Sequence, residues 1–350
     1  MHTIYIFGLG PSHLGEIPKQ VYDTVIQQEK IYLRTMEHPA AQELAAEGLA
    51  IQSFDAIYEK FDEAFEQVYP AIVKEVLELA KSGDVYYGVP GHPLVAEKSV
   101  QLLLEADAET KIIGGKSFID DLFAAVKVDP IEGFQLVDAF DLNADKLFPG
   151  NHLIIMQVYH SFIAGDVKLS LMDIYPADHE ICIVDAAGSA EEKTTWIPLF
   201  ELDYFEDVHN LRSVYVPPLE RDEAVASFAT TQSYLDDVFG ENGDVWVKEQ
   251  SGEELLDYIQ EELDELKEAY AQDNIDNIVE EIGDLFMLIL YQTAVGEKED
   301  LFSLEEVLTG INQKIRRRHP HVFDGVKANT VEEVEALWQK IKEQERQDKE

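Results

Sequence analysis

The chain has 350 residues, 70 of them acidic and 27 basic, for a formal net charge of −43. That length most often makes two or three domains, and an acidity carried by both halves, with no basic stripe or tail, excludes the footprint of a nucleic-acid binder. A single cysteine, Cys182, excludes an intrachain disulfide framework and cysteine-cluster zinc sites, and agrees with a reducing, cytoplasmic setting.

The opening MHTIYIFGLG runs straight into a strand, without the basic segment and cleavage site of a secretory signal, and no apolar run is long enough to span a membrane. Up to about Pro218, short β-rich runs alternate with helical patterns. The runs are Ile4 to Phe7, Ile31 to Leu33, Val85 to Val89, Leu153 to Val158, Glu180 to Val184 and Val214 to Pro218; the helices are Ile17 to Gln28 and Leu94 to Ala106. This predicts an α/β domain over residues 1–218. Two Gly/Pro turns follow strands, Phe7-Gly8-Leu9-Gly10-Pro11 and GDVYYGVPGHP at 83–93, and strand ends of α/β sheets are where ligands bind. The full dinucleotide fingerprint is missing.

Beyond a connection at 219–240, the pattern over 241–350 is helix after helix. Ser251 with Glu254, Ser303 with Glu306 and Thr330 with Glu333 each form the S/T-x-x-E capping box, in which hydroxyl and carboxylate satisfy reciprocal backbone donors, so three helix starts are predicted. Pro320 ends the helix that carries Arg316 to Arg318.

Two of these helices carry matched carboxylate pairs, Glu262 with Glu265 and Glu281 with Asp284, each at i and i+3 on one face. On a helical wheel, Leu256, Ile259, Leu263, Leu266 and Tyr270 form the apolar stripe of the first helix, and Ile275, Ile278, Ile282, Leu285 and Ile289 that of the second. Both pairs flank the same edge in the same sense. A short connection around Ala271 to Asn274 favours antiparallel packing, which points both pairs to one side of the seam. Four such oxygen groups suit a hard divalent cation, whereas most carboxylate pairs of this kind face water; both readings stand on spacing alone. Lys314, Arg317 and Arg318 share a face near the end of the third helix, suited either to phosphate oxygens or to the negative pole of the helix.

EELDE followed by EIGD resembles the EExxE…ExxD signature of MazG nucleoside triphosphate pyrophosphohydrolases. WVKEQS at 246–251 is similar to their entry motif, KIRRRHPHVF to their basic helix end and ALWQKIKEQE to their closing helix. The resemblance implies Mg²⁺ on Glu262, Glu265, Glu281 and Asp284, and substrate contacts from Lys248, Tyr258, Glu261, Asn277, Glu280, Lys314, Arg317, Arg318 and Trp338. It also implies a homodimer that hydrolyses nucleoside triphosphates (NTPs) to nucleoside monophosphate and pyrophosphate. Val245, Val247 and Gly252 stand where the family's entry motif has proline, aspartate and histidine.

FGLGP, YLRTMEHP, GDVYYGVPGHPLVAE, GGKSFIDDLF and IMQVY, in that order, resemble the tetrapyrrole methylase family, and the fusion of both halves resembles a YabN-like bacterial type. The likeness implies S-adenosylmethionine as a cofactor near Gly8, Gly10, Pro90, Gly91 and His92. Ser12 and His13 replace the usual glycine and aspartate, and Gly115 and Lys116 alter the later turn, which weighs against methyl transfer. Three functions follow as expectations: a pyrophosphohydrolase, a methyltransferase with the helical half serving dimerisation, or a small-molecule sensor regulating the helical half.

Overall fold

The alternating runs of the first half build two five-stranded sheets. The computed structural model describes residues 2–61 and 65–347. β1 (Ile4–Gly8), β2 (Ile31–Leu33), β3 (Ile51–Ser53), β4 (Val85–Val89) and β5 (Thr110–Gly114) form the first sheet, in the order β3-β2-β4-β1-β5. All its pairings are parallel. Such strands are buried on both faces and so read as continuous apolar runs; Ile4, Ile6 and Phe7 are fully buried. Helices α1 (Lys19–Val25), α2 (Pro39–Ala46), α3 (Asp55–Lys60), α4 (Val68–Leu79) and α5 (Lys98–Glu105) fall between these strands along the chain.

The second sheet comprises β6 (Phe134–Asp138), β7 (His152–Met156), β8 (Glu180–Asp185), β9 (Lys193–Pro198) and β10 (Arg212–Val216), in the order β6-β7-β10-β8-β9. Only β6 and β7 pair in parallel. α6 (Phe118–Val126) packs on one face through Leu122 and Phe123. α7 (Ser161–Met172) joins a separate core through Ala164, Val167 and Leu171.

The chain divides into two compact units between Ser227 and Phe228, inside the expected connection. The second unit contains α8 (Phe228–Phe239), α9 (Val245–Glu249), α10 (Glu254–Ala271), α11 (Ile275–Lys298), α12 (Leu304–Arg318), α13 (Pro320–Phe323) and α14 (Val331–Gln347). All three capping boxes form with both reciprocal bonds. Asn274 caps α11 by accepting from the Asn277 amide. No helix among the described residues is long and apolar enough to cross a membrane.

The apolar stripes expected from the wheel do not form one seam. Leu255, Leu288 and Val295 make the core of the second unit, with Phe239, Ile259 and Tyr291 packed against it. Leu256, Leu263, Tyr270, Ile275, Ile282 and Ile289 are instead exposed. Both helices are apolar over more of their circumference than one contact can cover, and the wheel merged two faces into one.

Candidate metal centre and nucleotide site

α10 and α11 run antiparallel: the Gln292 side chain donates to the Gly252 carbonyl at 2.7 Å at one end, and Glu262, midway along α10, meets Glu281 in the first third of α11. Carboxylate oxygens of Glu262, Glu265 and Glu281 lie within 4.8 Å of one another. Glu281 is only 7% exposed, Glu262 is half-buried and Glu265 faces solvent.

Burial first, then the charges of Asp284 and Glu265, hold the Glu262 carboxyl above the ordinary carboxylate range. Burial and then the Glu265 charge do the same for Glu281, which shares a hydrogen bond with Glu262. Asp284 lies outside the three-oxygen group, but its charge acts on both. Among the described residues, none of these four carboxylates has an ion-pair partner. Oxygen donors crowded this closely, with no basic side chain paired to them among the described residues, fit a hard divalent ion, which would relieve the repulsion and take the proton's place.

The implied substrate residues around this cluster fall one turn from it. Tyr258 and Glu261 precede Glu262 and Glu265 by four positions on α10, and Asn277 and Glu280 precede Glu281 and Asp284 by four on α11. All four are exposed. The Tyr258 ring meets the edge of Trp246 at 5.4 Å. Lys248 is engaged elsewhere: its ammonium donates to the carbonyls of Gly240 at 2.7 Å and Glu241 at 3.1 Å, fixing the turn after α8.

The end of α12 is organised by acids that the sequence reading did not single out. Arg316 forms a two-pronged pair with Asp324 at 2.5 and 2.7 Å and lies over Phe323. Arg317 and Arg318 both meet Glu345 of α14, which these two guanidinium groups depress to about 2. Lys314 is exposed and has no ion-pair partner among the described residues. Trp338, also on α14, receives the His319 ring edge-on at 5.5 Å and lines an open cavity of about 380 Å³ with Asn329, Thr330, Val334 and Glu335. No local spacing could have revealed Glu345, which is 27 and 28 positions from its partners.

In the first unit the glycines bring loops against one another. Gly10 and Gly91 exchange backbone hydrogen bonds at 3.2 and 2.9 Å, both at positive φ. A Cβ on Gly8 would stand 2.1 Å from the Gly91 oxygen and 3.0 Å from the Gly115 Cα. Gly8, Gly10 and Gly91 are thus together at the strand ends, but the amides of Gly10 and Gly91 already have partners. Pro90 and His92 flank Gly91, and the His92 Nδ1 accepts from the Leu94 amide. Lys116 bridges Glu16 and Asp121 beside them. At the end of β2, Arg34 of the YLRTMEHP run faces the buried Glu97 at 3.4 Å and the hydroxyls of Tyr58 and Tyr69.

Comparison with known proteins agrees with this division. The family described as tetrapyrrole (corrin/porphyrin) methylases matches residues 3–203, and the MazG nucleotide pyrophosphohydrolase domain matches residues 250–323. The uncharacterized protein YabN of Bacillus subtilis is 42% identical over 348 residues, which is 98% of this chain and 71% of that protein. A nucleoside triphosphate pyrophosphohydrolase of Escherichia coli K12 is 36% identical over 109 residues, 31% of this chain and 41% of that enzyme. Among solved structures, uroporphyrin-III-C-methyltransferase from Thermus thermophilus aligns at 16% identity with a TM-score of 0.47, over 65% of this chain and 95% of that one. With two families matched in succession and a fused relative similar along nearly the whole of this chain, the chain belongs to the YabN-type fusions of a tetrapyrrole methylase domain with a MazG domain.

Proposed function

We propose that the helical unit is a Mg²⁺-dependent nucleoside triphosphate pyrophosphohydrolase acting as a homodimer. The observation that carries this reading is the convergence of Glu262, Glu265 and Glu281 within 4.8 Å, with the Asp284 charge beside them, inside the segment that matches the MazG family. A magnesium ion held by these residues would polarise the α-phosphate and lower the pKa of attacking water. In the proposed reaction the water oxygen bonds to the α-phosphorus, and the bridging P–O bond breaks with its electron pair leaving on pyrophosphate. The proton passes to a carboxylate of the acidic cluster or to solvent. Lys314, Arg317 and Arg318 take up pyrophosphate charge, and Trp338 and Tyr258 offer ring faces to the base.

The test is a panel of canonical and damaged NTPs with product identification. Nucleoside monophosphate and pyrophosphate are expected, only with a divalent cation. Orthophosphate release, or turnover with the cation chelated, would refute the reading.

For the first unit we propose S-adenosylmethionine binding without methyl transfer to tetrapyrroles. Support for binding comes from the match of residues 3–203 to the methylase family, and against transfer from the altered turns at Ser12-His13 and Gly115-Lys116, where Lys116 is tied to Glu16 and Asp121. Calorimetry with the cofactor and a labelled-methyl assay decide it: labelled tetrapyrrole, or an absence of binding, would each overturn it.

A further inference from the structure

We infer that Glu345 is a positioning residue that assembles the phosphate-binding end of α12 and docks the helix bearing Trp338; this deepens the nucleotide reading above and rests on it. Arg317 and Arg318 are adjacent on a helix, so their side chains leave the axis about 100° apart, and their like charges oppose any approach. Nonetheless both guanidinium groups close on one carboxylate. Arg317 reaches Glu345 Oε1 through Nε at 2.7 Å and Nη2 at 2.6 Å. Arg318 reaches Oε2 through Nη2 at 2.7 Å and Oε1 through Nε at 3.2 Å.

Only 15% of the Glu345 side chain is exposed, against 26% for Arg318 and 51% for Arg317, so the carboxylate is the most enclosed member of the group. Arg316, the third arginine of the run, is drawn away to Asp324, which separates the pair that converges from the one that does not.

The same carboxylate also determines where Trp338 stands. Trp338 and Glu345 are seven positions apart on α14, two turns along one face. No residue of α14 is fully buried, and Val334, Leu337 and Ile341 are half-buried along one face. Beyond that packing, the Glu345 pairs and the Trp338–His319 ring contact tie it to the end of α12. One acid therefore fixes the arginines that meet phosphate and the tryptophan assigned to the base.

A carboxylate in an arginine fork could alternatively compete with substrate phosphate, and the two roles have opposite signs. The experiment uses the full chain and its Glu345→Gln and Glu345→Asp variants. Binding of inorganic tripolyphosphate without metal is measured by calorimetry, together with KM and kcat for an NTP with Mg²⁺. Positioning predicts that Glu345→Gln weakens tripolyphosphate binding and raises KM by about 10-fold, with kcat changed much less, and that Glu345→Asp recovers part of the loss. Tighter binding in Glu345→Gln would show competition, and unchanged binding and KM would show a structural contact only; either overturns the inference while wild-type turnover stands. A wild-type chain that neither binds tripolyphosphate nor cleaves NTPs would remove the nucleotide reading and this inference with it. Circular dichroism checks that the substitutions leave the unit folded.

Discussion

α11 presents Ile275, Val279, Ile282, Phe286 and Ile289 at alternating steps of four and three, the seam spacing of a coiled coil. They remain 68%, 67%, 49%, 48% and 48% exposed. In the proposed homodimer this row meets a second copy. Burying a whole valine side chain is worth about 1.5–3 kcal/mol. Val279 has two-thirds of its surface still to bury, so each copy contributes about 1–2 kcal/mol and a two-fold interface about 2–4 kcal/mol. Val279→Asp removes that contribution and places two carboxylates in an apolar seam, so self-association should weaken by at least about 30-fold. Sedimentation velocity over a concentration series, with circular dichroism to confirm helicity, measures this. Ile131→Asp is the control: Ile131 is 87% exposed, lies in the first unit and belongs to no such row, so its replacement should leave association unchanged. A wild-type chain that stays monomeric at tens of micromolar, or a Val279→Asp chain that dimerises as tightly as wild type, would refute the reasoning.

Glu262→Ala and Asp284→Ala should each abolish NTP turnover with the fold intact, because losing a ligand oxygen costs more in metal binding than relief of repulsion returns to the apoprotein. Near-normal Mg²⁺-dependent activity in both variants would remove the metal assignment. In the first unit, Gly8→Ala should cost at least about 3 kcal/mol in urea denaturation, since its Cβ meets backbone rather than a flexible side chain, whereas Gly91→Ala, with open space around it, should cost about 1–2 kcal/mol for its positive φ alone. Equal losses would show that the contact at Gly8 relaxes freely. The Glu345 carboxyl, depressed from 4.5 to about 2 by its arginines, stabilises the docking of α14 fully above its ordinary value; that contribution is lost as the pH falls from about 4.5 toward about 2. Acid titration followed by amide exchange of α14 should show loosening in that window for wild type and none for Glu345→Gln; matching profiles would count against the ion pair.

The strands legible in the sequence are those with neighbours on both sides. β1, β2, β4, β7, β8 and β10 are interior strands and read as apolar runs, whereas β3, β5, β6 and β9 are the four sheet edges. Edge strands are kept short and polar as protection against further pairing, and Gln52, Lys111, Gln135 and Lys193 supply that polarity here at the cost of the signal. Capping boxes were legible for the opposite reason, because both partners sit three residues apart and no tertiary contact is needed. The first-unit turns were visible as glycine spacing, but spacing cannot tell whether a glycine makes room for a ligand or, as Gly8 does, for another loop.

The acidic cluster and the failed wheel have a common cause in α11. Glu281 could be placed beside Glu262 because a short connection favours antiparallel packing and the carboxylates flank the stripes closely enough to meet even though those stripes are not the seam. The apolar stripe itself depends on which face is the core. α11 buries Leu288 and Val295 inside its own unit and leaves the equally apolar Ile275-to-Ile289 row outside. Hydrophobic periodicity records that a face is buried in the working protein without recording whether the covering surface lies within the same chain. If a second copy covers this row, the same helix supplies Glu281 and Asp284 on one side and the dimer seam on another. Substitutions in the seam would then reach the metal ligands through α11 itself, so Val279→Asp should lower turnover together with association. Dissociation without any loss of turnover would mean that each acidic cluster is complete within one chain.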